Sequence, residues 1–126
     1  MADTDPLAEL AARGIALARV GIGVGATLAP GFVSRLQFGD ATPGGRIAVR
    51  MLGARDLALG VGALWAARHG SAGLRGWVEA GGFADGVDAW AFLRAQPGDA
   101  RRRRFTALVA GGSAVVSAWA ARKLGG

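Results

Sequence analysis

Eight ionisable side chains interrupt otherwise apolar stretches of this 126-residue chain: Arg13, Arg19, Arg50 and Arg55 against Asp56, Glu79, Asp85 and Asp88. Four of each sign sum to zero. An Arg fork can hold a carboxylate through two parallel hydrogen bonds, which suits Arg rather than Lys to such pairing. Asp85 and Asp88 are three residues apart, so on a helix they share a face, where two carboxylates repel unless a cation or a proton lies between them. Two chemistries are open to this set. The pairs can pin the register of packed helices. Alternatively, Arg19, Arg50, Arg55, Asp56, Glu79, Asp85 and Asp88 line a polar chamber that binds a small polar or amphipathic molecule or relays protons. An enzyme is the further alternative, with Asp85 and Asp88 beside Arg55 as general acid and base in epoxide opening, isomerisation or cyclisation of a lipophilic substrate.

Other chemistries lack their residues. The chain has no Cys, no Tyr and one His, which removes thiolate metal sites and leaves no zinc or di-iron pattern, so neither metal nor cofactor is expected. Gly21, Gly23 and Gly25 imitate a dinucleotide fingerprint, but no strand precedes them and no acidic residue follows at the usual distance. Arg101, Arg102, Arg103 and Arg104 form a basic run without interleaved aromatics, which fits anionic lipid headgroups better than nucleic acid. His69 reads as a solvated loop residue, and Ser113 and Ser117 as helix residues bonded to neighbouring backbone.

Four segments must position these groups: about 9–28, closed by Pro30 and Gly31, then 46–67, 73–94, which ends before a Gln96-Pro97-Gly98-Asp99 turn, and 105–121. Measured from the segment midpoints, Arg19, Arg55, Asp56 and Asp85 fall at one level, Arg50 at about the depth of Asp88 and Arg13 at about that of Glu79. At 1.5 Å per residue, twenty-odd residues reach about 30 Å, the thickness of a bilayer's hydrocarbon core. With 28 Ala and 22 Gly, a soluble core would be thin. Small residues recur every four positions, as at Gly21 and Gly25 or Ala110, Ala114 and Ala118, a spacing that lets helix backbones touch in lipid. Trp65, Trp77 and Trp119 fall at one side of an up-down arrangement and Trp90 at the other, as interfacial belts do. Asp3, Asp5 and Glu9 before Arg13, with Arg19 further in, argue against a secretory leader in the first segment. The expectation is an all-α, up-down four-helix bundle, transmembrane and multi-pass in the cell membrane. Its Gly and Ala faces would pair with a second copy or a partner subunit. The basic loops holding Arg35, Arg46, Arg94 and Arg101 to Arg104 would face the cytoplasm. A soluble helical ligand-binding bundle is the competing architecture, because three of the four segments carry internal charges.

The stretch Gly53-Ala54-Arg55-Asp56-Leu57 with Gly60, followed by Asp85 and Asp88, resembles small four-helix bacterial membrane proteins that are broadly DoxX-like in layout. The resemblance covers mainly the second and third segments. It implies a four-helix membrane bundle and no particular catalysis.

Overall fold

Proline starts three of the five helices among the described residues, where its missing N–H costs nothing and its fixed φ is already helical. In a computed structural model describing residues 5–94 and 99–125, α1 spans Pro6–Leu28 and its N-cap Asp5 accepts from the Leu7 amide. After Ala29 the chain turns by 110° into the short α2, Pro30–Phe38. Gly39, at φ 87°, caps α2 in the left-handed region that glycine enters without strain. Thr42 caps α3, Pro43–Ala66, through the Gly45 amide. Helix α4 is Ser71–Arg94, and α5, Ala100–Leu124, begins at Asp99, whose side chain accepts from the Arg101 amide.

The four long helices form a ring, with α1 packed most closely on α3 and α4 on α5, and the α1–α5 and α3–α4 seams closing it. Neighbours run antiparallel. On the α1–α3 seam, a Cβ at Gly23 would stand 2.7 Å from the Gly53 carbonyl oxygen, and one at Gly60 would stand 2.6 Å from that of Ala16. The two backbones therefore touch because neither glycine carries a side chain, and that contact fixes the spacing of α1 and α3.

The buried apolar cluster lies at one end of the ring, where Ala8, Ala12 and Ala16 meet Ala63, Leu74 and Val78 and the last turns of α5. It is mostly methyl groups. Most of the large apolar side chains point outward instead: Leu28 is 79% exposed, Phe83 77% and Leu108 73%. Because the helices alternate in direction, Trp65, Trp77 and Trp119 lie toward the alanine-rich end and Trp90 toward the end that holds α2.

The all-helical expectation holds, and no strand occurs among the described residues. The described residues form five helices rather than four. Pro30 and Gly31, read as a stop, open a second helix instead. The third and fifth helices begin earlier than expected because Thr42 and Asp99 cap them, so Arg101 to Arg104 occupy the first turns of α5 rather than a loop. The turn expected at Gln96, Pro97 and Gly98 lies outside the described residues. No single helix among those described is long and apolar enough to cross a membrane; α1 and α2 taken together would be, by length and composition, but they are bent.

Candidate functional site

Midway along the ring, three helices send charged side chains inward at one level. Arg19 of α1 is 7% exposed and bridges two helices, donating from Nη1 to Asp56 Oδ1 of α3 at 3.0 Å and from Nη2 to Asp85 Oδ2 of α4 at 2.6 Å. Gly81 leaves room for it, since a Cβ there would stand 2.8 Å from Arg19 Nη2. From α5, Ser113 Oγ donates to the same Asp85 oxygen at 2.5 Å. Arg55 grips Asp88 with both forks, Nη1 to Oδ1 at 2.9 Å and Nη2 to Oδ2 at 2.5 Å, and reaches Asp56 Oδ1 at 3.5 Å. Each carboxylate therefore has a guanidinium partner, the arrangement that makes a buried ion tolerable.

Beside this network lies a cavity of about 380 Å³, within the range of small-molecule sites. Arg19, Arg55, Asp56, Asp85 and Asp88 form its polar wall, and apolar side chains supply most of the rest. Ile22 of α1 and Val109 and Val116 of α5 line the cavity and are also exposed. The cavity thus opens sideways between α1 and α5. Gln37 of α2 contributes to its lining, as does Phe92, on which Phe38 stacks at 5.9 Å between ring centroids. Arg102 holds α2 in that position by donating to the carbonyl of Arg35, which also accepts from the Gly39 amide, and to that of Leu36, which the helix end leaves without an intrahelical donor.

Of the candidate residues, Arg19, Arg55, Asp56, Asp85 and Asp88 come together. Three do not. Arg13 and Glu79, expected to match across the bundle, are exposed and pair within their own helices, Arg13 with Glu9 at 2.6 Å and Glu79 with Arg75 at 2.7 Å. Arg50 is exposed and does not line the cavity. The reason is rotational. At about 100° per residue, Arg13 is turned about 120° from Arg19, Glu79 about 120° from Asp85, and Arg50 about 140° from Arg55, so none of the three shares its neighbour's inward face. Asp85 and Asp88 share a face, but Arg19 and Arg55 hold them separately. Ser113 bonds a carboxylate rather than backbone, and no feature of its own sequence neighbourhood signals that. Gln37 was hidden in the segment read as the loop between Arg35 and Arg46.

Comparisons with protein-family models, with curated proteins and with solved structures found no match.

Proposed function

We propose that this chain is a small membrane-embedded helical protein, DoxX-like in layout, whose mid-bundle chamber binds a small polar or amphipathic ligand entering from the side. The observation that carries the reading is the inverted distribution of side chains: a paired Arg and Asp network inside, with Leu17, Phe83, Leu108 and Val115 outside. A soluble bundle does the reverse. Arg19, Arg55, Asp56, Asp85 and Asp88 are turned inward, where lipid does not meet them, whereas Arg13, Arg50 and Glu79 stay on the outside. At 23 to 25 residues, each long helix extends about 35 Å, enough for a hydrocarbon core of about 30 Å. On this reading α2 lies along one interface, with exposed Phe32 and Leu36 facing acyl chains, and Arg101 to Arg104 beside it meet anionic headgroups.

Binding is favoured over acid–base catalysis because Asp85 and Asp88 each answer to a guanidinium rather than to one another. The test is fractionation followed by extraction in a mild detergent. Recovery in the membrane fraction, with a small molecule retained in native mass spectrometry, is the expected result. A monodisperse chain in buffer without detergent would overturn the membrane reading.

A further inference from the structure

Counting the groups that line the chamber leaves a surplus. Arg19 and Arg55 supply two positive charges, while Asp56, Asp85 and Asp88 supply three negative ones. Two of the carboxylates use a single oxygen each. All contacts to Asp56 fall on Oδ1 and all contacts to Asp85 on Oδ2, so one oxygen of each carboxylate is left over. Gln37 Oε1 is buried without a partner. Among cavity-lining residues the buried side-chain atoms without a partner are one acceptor, Gln37 Oε1, and one donor, Arg55 Nε. A buried polar atom without a partner is costly, and a surplus of one charge specifies its complement.

Resting on the chamber reading above, we propose that the ligand is a lipophilic monocation. In this arrangement a protonated primary alkylamine places its ammonium group among Asp56, Asp85 and Gln37, and its chain leaves between α1 and α5. An ammonium carries one positive charge and three N–H donors, matching the surplus charge and the Asp56, Asp85 and Gln37 oxygens that take no other donor, and the apolar walls match the chain. A divalent metal ion matches neither wall nor geometry, since no group of three or more His, Asp or Glu side chains among the described residues is gathered so as to hold one. The sideways opening suits a ligand that partitions into lipid before it binds.

The experiment is native mass spectrometry of the full chain in a neutral detergent, titrated separately with decylamine, decanol and decanoate. Decylamine is expected to form a one-to-one adduct at a concentration about tenfold below decanol, with decanoate weakest. Asp56→Asn removes the surplus charge and is expected to bring decylamine and decanol to within about twofold. Gln37→Leu, which touches no ion pair, keeps the network folded and is expected to weaken decylamine about fivefold. Val109→Trp fills the cleft and should abolish every adduct. If decanol or decanoate binds at least as tightly as decylamine, and Val109→Trp still abolishes it, the cationic assignment falls and the chamber reading stands. If no probe gives a one-to-one adduct, both fall. Decylamine binding that 300 mM NaCl abolishes would also overturn the assignment, because surface pairing is screened whereas a chamber pair is not.

Discussion

Replacing Arg19 with Gln removes both guanidinium contacts at the centre of the ring and leaves Asp56 and Asp85 facing the same space. After the change Asp85 keeps only Ser113, at 2.5 Å, and Asp56 keeps only the long 3.5 Å contact from Arg55. Breaking a buried pair by removing one partner costs about 3–5 kcal/mol, most of it the penalty of the charge left behind. Asp85→Asn is milder, because Arg19 still has Asp56, and the loss of one charge-assisted hydrogen bond is about 1.5–3 kcal/mol. Arg13→Gln breaks an exposed pair within one helix, worth about 0.3–0.5 kcal/mol. The predicted order is therefore Arg19→Gln, then Asp85→Asn, then Arg13→Gln. Unfolding of helicity by sodium dodecyl sulfate titration, followed by circular dichroism in one mild detergent, reads all three on one scale. At the lower bound, Arg19→Gln raises the unfolding constant by about two orders of magnitude. An Arg19→Gln variant within about 1 kcal/mol of Arg13→Gln, on a scale where about 1.4 kcal/mol is tenfold, would refute the claim that these charges are buried and mutually dependent.

Ser113→Ala removes the fourth helix from the network and should cost about 1.5–3 kcal/mol by the same titration; no loss would mean that Ser113 and Asp85 do not meet. Gly60→Ala places a methyl against the Ala16 carbonyl and should destabilise the α1–α3 seam, whereas Gly21→Ala meets nothing within 4 Å and should stabilise the chain by about 0.5–1 kcal/mol through helix propensity. Destabilisation by Gly21→Ala would instead place a second copy on the outer face of α1. Arg102→Ala frees the end of α2, so amide exchange over 33–38 should quicken by at least about tenfold while α3 is unchanged; equal protection in both forms would remove Arg102 from its role as the tie.

Axial position along the chain was legible, and angular position was legible but overlooked. Counting residues from each break put Arg19, Arg55, Asp56 and Asp85 at one level, where the structure has them. The same counting set Arg13 against Glu79 at matching depth and ignored their directions around the helix axes. Nearer partners one turn away, Glu9 and Arg75, satisfy both at little entropic cost. The helix α2 was missed because Pro30 and Gly31 carry a breaker signal that is equally a helix-start signal. Its consequence was larger than one element, since Gln37 reaches the cavity only by folding back over the ring. The Ser113 contact depends on α4 and α5 packing, where Gly82 sits close against Ser117, and no single segment encodes that register.

The central claim, an ionic interior enclosed by an apolar exterior that faces lipid, is open to direct measurement because the chain contains no Cys. Single cysteines at Leu17, Phe83 and Val115, spin-labelled in lipid bilayers, report collisions with dissolved oxygen and with a water-soluble nickel chelate. All three labels are predicted to collide freely with oxygen and rarely with the chelate, with Asp99→Cys showing the opposite. Free access of the chelate to Phe83 and Val115 would contradict the account.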